Sequence, residues 1–483
     1  MEDSLMDYRG RSRFIGNKVH RCVSCGKISE EKLNICCENS SVKEDYQLSG
    51  FGQIVSYAGD WDGIFNFPSV TVKLKEGIMD REGVWVGIEE PKVGKPTEFR
   101  VRLTNFDRRP QYNTPHLAYA EALAKDVDFK VEPVGDEVGI RGWGAWLGEY
   151  AIPTAEIGPS DFKEKRIAHP TEDTFTIAAE AAVYARKRAG CILKGPGTIL
   201  LGTEYKPTHS QPYSNLIATR VNAPIEIDTL DGSAACLAGQ NVFNLSLSQV
   251  NDRESDWAIT GGADLAGFLG RADKDLLRFT SDGASALEVG RGNKETLAAR
   301  VIRDKNGRIT AKVATFTPDY DVDNVAKAFH GGRFTGEPGY FYHMEESFKR
   351  LRKNFDLEPK DITTIVLHAP NLGFPYKIGK SLGFTDQQLE PNLKVSPVIG
   401  NSYSAYVEFC YALEHSKSGD RILLQKYGSG AQSRDTVFEV LDGIEERKAV
   451  APTVDELIAH KKMINKAEHD RIMRMREQIL GFA

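Results

Sequence analysis

The chain has 483 residues, of which 41% are hydrophobic and 27% charged, with a formal net charge of −6. That length exceeds what one hydrophobic core usually supports, and the composition excludes disordered, fibrous and bilayer-embedded chains. An acidic balance, with a pI near 6.0, removes any general electrostatic case for nucleic acid or anionic membranes, and no leader-like apolar stretch opens the sequence, so a cytoplasmic location is expected.

Residues 1–46 hold four of the seven cysteines. Cys22 and Cys25 form a C-x-x-C knuckle, the spacing at which two thiolates grip one metal ion, and Cys36 and Cys37 follow as an adjacent pair. A zinc ribbon wants a second C-x-x-C there. Two outcomes stay open: a structural zinc on Cys22, Cys25, Cys36 and Cys37, or a ribbon that holds its shape without metal. Residues 47–136 carry short strand-like runs, GFGQIVSYAG, PSVTVKLKEG, GVWVGIEE and TEFRVRL, each bounded by Gly, Pro, Asp or Lys. Their close spacing predicts a small OB-type β-barrel, with DFKVEPVGDE as its exit.

From 137 to 445 strands alternate with helical segments, the pattern of an α/β domain. TEDTFTIAAEAAVYARKRAG predicts a helix with a Gly stop. Residues 446–483, charged with apolar residues at helical spacing, predict a helical tail packed on the surface.

The α/β domain contains one plan twice. In the first copy, strand TILLGT ends at Glu204, the small-residue cluster GSAACLAG centres on Cys236, and strand DWAITGG ends in Gly261 and Gly262. In the second, TTIVLH ends at His368, IGNSYSA begins near Asn401, and RILLQKYGSG ends in Gly428 and Gly430. The offsets 204 to 236 and 368 to 401 agree within one residue. Duplicated halves bring equivalent strand ends together where open α/β sheets place ligands, so Glu204, Cys236, His368 and Asn401 are expected to face one pocket. Singly, each has an ordinary structural role open to it: a packed thiol, a solvated carboxylate, a turn imidazole. Their coincidence at matching strand ends favours a shared site.

Six phrases in order, LGTEYKP, AACLAG, HGGRFTGEPGYF, LHAPNLGFPYKIGKSLGFT, VIGNSYSA and YGSGAQS, make residues 138–438 resemble the archaeal-type 3-hydroxy-3-methylglutaryl-CoA synthases of the thiolase superfamily. The ribbon and barrel before them are similar to the zinc-ribbon/OB proteins that partner thiolases and related acyl-CoA enzymes, notably at LSGFGQIVS. The resemblance implies a thiolase-like fold of two pseudo-duplicated halves and an acyltransferase that forms a carbon–carbon bond between acyl-CoA thioesters. It implies Cys236 as nucleophile, Glu204 as general acid/base, His368 as the acetoacetyl-binding histidine and Asn401 as its polar neighbour. It also implies a homodimer and a possible thiolase partner. Arg333, Lys377 and Lys380 stand in the matching phrases as candidates for the CoA phosphates, and the backbone at Gly428 and Gly430 could approach the thioester oxygen. The resemblance further implies CoA thioesters as the substrates and a chemistry that requires no cofactor.

A cysteine at the start of a buried helix is expected to have its thiolate stabilised by the helix dipole and a nearby imidazole. Its acetyl thioester is weakly acidic, so a carboxylate must remove a methyl proton, and the ketone of the acceptor needs donors aimed at its oxygen. Two rival readings are a ketoacyl synthase-like acyl transfer, against which Glu204 argues, and an acyl-CoA-binding scaffold subunit of a thiolase complex, against which the Glu/Cys/His set argues.

Overall fold

A computed structural model describes residues 18–26, 28–29, 43–61, 67–76, 80–102, 116–129, 132–204, 206, 212–266, 274–315, 320–323, 327–330 and 336–480. Cys36, Cys37 and Arg333 lie outside the described residues. The chain opens with a small antiparallel sheet in which β1 (Lys18–Cys22) pairs with both β2 (Ile28–Ser29) and β3 (Lys43–Gln47). The knuckle closes by a bond from Gly26 N to Cys22 O of 2.8 Å, with Cys22 buried and Cys25 exposed. Among the described residues no group of three metal-ligating side chains occurs.

Five strands then close a barrel in the order β4 (Phe51–Trp61), β5 (Phe67–Leu74), β6 (Asp80–Trp85), β8 (His116–Glu121) and β7 (Pro96–Arg102), which pairs back onto β4. Alternation puts Val70, Val72 and Leu74 inside with Ile54, Trp85, Phe99 and Tyr119, and closure leaves no open edge.

The remaining chain builds one large mixed sheet. Its first part uses β9 (Glu137–Leu147), then a small side sheet of β10 (Tyr150–Pro153) and β11 (Glu164–Ile167), helix α1 (Thr174–Ala189), β12 (Gly197–Gly202), α2 (Ser214–Arg220), β13 (Ile227–Gly232), α3 (Ala238–Asn251), β14 (Trp257–Leu265) and β15 (Asp282–Gly292). Its second part uses β16 (Ala299–Val301), β17 (Ala311–Ala314), a separate hairpin of β18 (Tyr320–Asp323) and β19 (Lys327–His330), α4 (Phe341–Phe355), β20 (Thr364–Leu367), α5 (Gly373–Ser381), α6 (Val407–His415), β21 (Arg421–Gly428) and β22 (Gln432–Val440). The sheet runs β13-β12-β14-β15-β9-β16-β22-β21-β20, with β17 on β22. β12 and β14 are parallel and β14 and β15 antiparallel; β20 and β21 are parallel and β21 and β22 antiparallel. The two ends of the sheet thus repeat one pairing pattern.

Helix α1 starts on a capping box, with the Asp173 carboxylate accepting from Thr176 N and the Thr176 hydroxyl accepting from Asp173 N, and stops at Gly190, whose φ is 64°. Every residue of α1 is buried, because the sheet covers one side and barrel strand β7 the other. The charges it carries therefore need partners from the barrel. Arg100 reaches Glu180 at 3.2 Å, Arg102 reaches Glu172 at 3.3 Å, and Lys187 pairs with Glu98. On the opposite flank Arg188 donates to Trp143 O, Ala451 O and Pro452 O.

The C-terminal segment differs from a simple surface helix. It divides into α7 (Val454–Ala459), β23 (Lys462–Met463), which adds to β10 in parallel, and α8 (Lys466–Leu480). Buried Arg166 ends α7 by donating to Leu457 O, Ile458 O and His460 O, and buried Arg476 on α8 meets Asp282 at 2.7 Å. Those two guanidiniums break the helical run and carry it inward.

Two outcomes follow from this packing. Arg100→Ala takes from buried Glu180 its nearer cation and leaves it Arg220 at 3.5 Å, so chemical denaturation should show a loss of about 3 kcal/mol, the lower end of the cost of breaking a buried pair; a loss below about 1 kcal/mol would contradict the burial. Asp435 on β22 accepts from Ser347 Oγ at 2.8 Å, and burial pushes its carboxyl up to about 8. A raised folded-state pKa favours the protonated carboxyl, so this contribution is complete below about pH 4 and disappears as pH rises through about 8. Asp435→Asn should raise Tm at alkaline pH and leave it nearly unchanged near pH 4, measured by differential scanning fluorimetry across that range.

Candidate active site

Glu204 stands two residues beyond the end of β12, where Thr203 Oγ1 and Glu204 N both donate to Asp264 Oδ1 at 2.8 Å. Asp264 is fully buried on β14, the parallel neighbour of β12. Cys236 sits on a tight turn just before α3. Ala235 adopts φ 47°, the left-handed region, and Leu237 N and Ala238 N bond back to Ala234 O and Ala235 O. That turn aims the sulfur at the end of β12: Cys236 Sγ donates to Glu204 Oε2 at 3.3 Å.

The thiol lies on the other side of its usual range from the sequence expectation. Burial, and next the charge of Glu204, push it well above the ordinary value, while Lys426 pulls the other way. Cys236 precedes the first residue of α3 by two positions and is only 8% exposed, so desolvation outweighs the helix-end field. At neutral pH Cys236 is a thiol with the Glu204 carboxylate alongside.

His368 follows β20 directly. Its backbone N–H donates to Gln425 O at 3.0 Å, and its carbonyl accepts from Tyr340 Oη at 2.7 Å. Burial, and then Lys426, hold its imidazole well below the usual range, so the ring is neutral. Asn401 Oδ1 accepts from Tyr403 N at 3.0 Å, which leaves its amide nitrogen as a donor. His368, Asn401, Tyr403, Glu408 and Lys426 line one cavity of about 10 Å³, room for about one water.

Cys236 and Glu204 do not line that cavity. The two pairs meet through the loop from Asn401 to Tyr406. Asp264 Oδ2 accepts from Ser404 N at 2.9 Å, so one carboxylate ties Glu204 to this loop. The Ser404 carbonyl rests on Gly262 and Gly239, where a Cβ would come within 2.0 and 2.2 Å of it. Gly428 likewise seats against the nucleophile turn, its absent Cβ falling 2.8 Å from Ala234 O. Gly430, with φ 85°, makes the turn between β21 and β22.

Of the phosphate candidates, Lys377 stacks its ammonium 4.6 Å over the Phe341 ring and Lys380 pairs with Asp386 at 3.1 Å on the surface. Two charged residues of the cavity, Lys426 and Glu408, escaped the sequence reading. The available signal was a lysine inside RILLQKYG, a strand otherwise fit for burial.

No protein-family model matches the chain. Among characterised proteins it is 35% identical over 348 residues to the hydroxymethylglutaryl-CoA synthase of Methanococcus vannielii, covering 68% of this chain and 96% of that one. It is 36% identical to the enzyme of the same name from Thermococcus gammatolerans, covering 70% and 96%. Similar solved structures include an HMG-CoA synthase complexed with CoA (TM-score 0.59, 17% identity, covering 70% of this chain and 90% of that one). Another is MvaS in complex with 3-hydroxy-3-methylglutaryl coenzyme A (0.61, 18%, covering 71% and 92%). A third, 3-oxoacyl-[acyl-carrier-protein] synthase III from Aquifex aeolicus (0.54, 18%, covering 62% and 99%), shares the same thiolase-like fold. With more than nine-tenths of these relatives spanned at about one residue in three identical, the chain belongs to the hydroxymethylglutaryl-CoA synthase family of acyl-transferring, condensing enzymes.

Proposed function

We propose that this protein adds an acetyl group, carried as a thioester on Cys236, to the ketone of acetoacetyl-CoA or a closely related 3-ketoacyl-CoA. The observation that carries the reading is the Cys236 thiol donating to the Glu204 carboxylate at 3.3 Å, beside a loop that lines one cavity with the neutral His368. As sulfur attacks acetyl-CoA, Glu204 takes the thiol proton and passes it to the departing CoA sulfur. Glu204 then removes a methyl proton from the acetyl thioester, and the enolate carbon attacks the 3-keto carbon of the acceptor. His368 and Asn401 donate to the ketone oxygen as it becomes an alkoxide, which is protonated. Water finally cleaves the thioester, restoring the thiol and freeing the new carboxylate. The relatives named as hydroxymethylglutaryl-CoA synthases, and the related structures holding CoA and 3-hydroxy-3-methylglutaryl coenzyme A, support CoA thioesters as the substrates.

The three-stranded sheet and closed barrel fit a ribbon and OB-type module covering part of the CoA tunnel. A zinc on Cys22 and Cys25 needs further ligands from outside the described residues, with Cys36 and Cys37 the candidates, and no step of the reaction uses it. The barrel is our candidate surface for a thiolase partner, on the strength of the ribbon and barrel resemblance alone. A homodimer is supported by β13, which ends the sheet with an outer edge that no described strand covers, with exposed Leu230 on it and fully exposed Ile225 just before it. No helix among the described residues is long and apolar enough to cross a membrane, which agrees with a cytoplasmic enzyme.

Intact-protein mass spectrometry after mixing with acetyl-CoA should find one acetyl adduct on wild type and none on Cys236→Ala; no adduct on wild type would favour a scaffold. Glu204→Gln should lower kcat of condensation by about 10²–10⁴-fold, and His368→Ala should raise KM for the 3-ketoacyl-CoA while sparing acetylation. Light scattering should give a dimer that Leu230→Asp converts to monomer.

A further inference from the structure

Strand β21 presents its residues alternately to two sides. Leu423, Gln425 and Tyr427 face α4: Gln425 Nε2 donates to Met344 O at 2.8 Å, and Leu423 and Tyr427 share a core with Met344 and Phe348. Leu424, Lys426 and Gly428 therefore face α3 and the nucleophile turn, in agreement with Leu424 packing in the core that contains Phe243 and with Gly428 seated on Ala234 and Leu237. A lysine thus enters a buried region where the two halves meet. Its ammonium donates to Tyr403 O at 2.8 Å and Ala405 O at 2.6 Å, and it lines the cavity shared by His368 and Asn401. Tyr403 itself has φ 47°, a strained conformation that this bond helps to hold.

We propose that Lys426 is a positioning residue that braces the Tyr403–Ala405 turn against the nucleophile loop and supplies the counter-charge to sulfur as the Cys236 proton leaves. The proposal rests on the reading of Cys236 as nucleophile. The charges around these groups come from four other elements. Glu204 at the end of β12 and Asp264 on β14 face both Cys236 and Lys426, Glu408 on α6 faces Lys426, and neutral His368 after β20 lies within its field. Glu204 and Asp264 raise the thiol and Lys426 lowers it. Once Glu204 has taken the proton, the charge developing on sulfur faces the Asp264 carboxylate, and Lys426 is the cation that offsets it. Burial lowers the lysine's own affinity for its proton, which the carboxylates around it oppose.

The test is the pH dependence of Cys236 alkylation by iodoacetamide, read by peptide mass, in wild type, Lys426→Met, Lys426→Arg and Glu408→Gln, each with its melting curve. Lys426→Met should move the midpoint upward by about one pH unit, an approximately tenfold loss of rate below it, and should slow acetylation by acetyl-CoA with KM nearly unchanged. Lys426→Arg should restore most of both. Glu408→Gln, which removes the carboxylate that most sustains the lysine's charge, should move the midpoint up in the same direction and tests the idea even if Lys426→Met does not fold. Midpoints that stay at the wild-type value in folded variants overturn the role of Lys426 alone. A wild-type Cys236 that reacts with neither iodoacetamide nor acetyl-CoA overturns the nucleophile reading, and this inference with it.

Discussion

A single buried carboxylate, Asp264, accepts from Thr203 Oγ1 and Glu204 N with one oxygen and from Ser404 N with the other. Hydrogen bonds to a charged acceptor are worth about 1.5–3 kcal/mol each, so this carboxylate is strong enough to fix the base of one half and the loop of the other in a common frame. The arrangement works only because Gly239 and Gly262 let the Ser404 carbonyl lie flush on the first half. Close backbone contact and a charged anchor act at the same place. Between them they set how far Cys236 and Glu204 stand from the cavity lined by His368 and Asn401.

The interface between barrel and sheet domain is electrostatic for a related reason. Helix α1 is covered on both sides, and isolated buried charges are far more costly than paired ones. Glu98, Arg100 and Arg102 from β7 therefore interleave with Glu172, Glu180 and Lys187 around the helix. The barrel docks as a matched charge pattern rather than as a loosely tethered appendage, and Leu216 on α2 packs against its apolar core. The barrel thus touches the helix that begins just after the Glu204 loop.

Much of this was legible in the sequence where the signal is local. Strand ends, glycine stops and small-residue clusters mark turns by backbone chemistry alone, which is why Glu204 and Cys236 could be paired from their spacing and are bonded in the structure. His368 and Asn401 also share a cavity. What stayed hidden depends on burial by distant segments. In AEAAVYARKRA nothing local marks the charges as buried, because the partners that β7 lays over them lie some 80 residues away in the chain. Lys426 reads as an interruption in an apolar strand until α3 and the Tyr403 turn enclose it. The protonation state of Cys236 was misjudged because a helix-end field was counted without the desolvation that outweighs it. The tail was read as a surface helix because nothing nearby in sequence announces that Asp282 needs Arg476.

That last pairing bears on how the protein is made. Asp282 opens β15, whose preceding residue Ser281 bonds to Asn401, and its carboxylate also accepts from Ala168 N. Its guanidinium partner, like the strand that completes β10, is synthesised after everything it supports. On a ribosome releasing domains in order from the N-terminus, the small first sheet and the barrel can form early, whereas the large sheet must wait with a buried anion that lacks its guanidinium. Vectorial translation thus leaves the Asn401 loop, bonded to Ser281, waiting on the last helix to be locked.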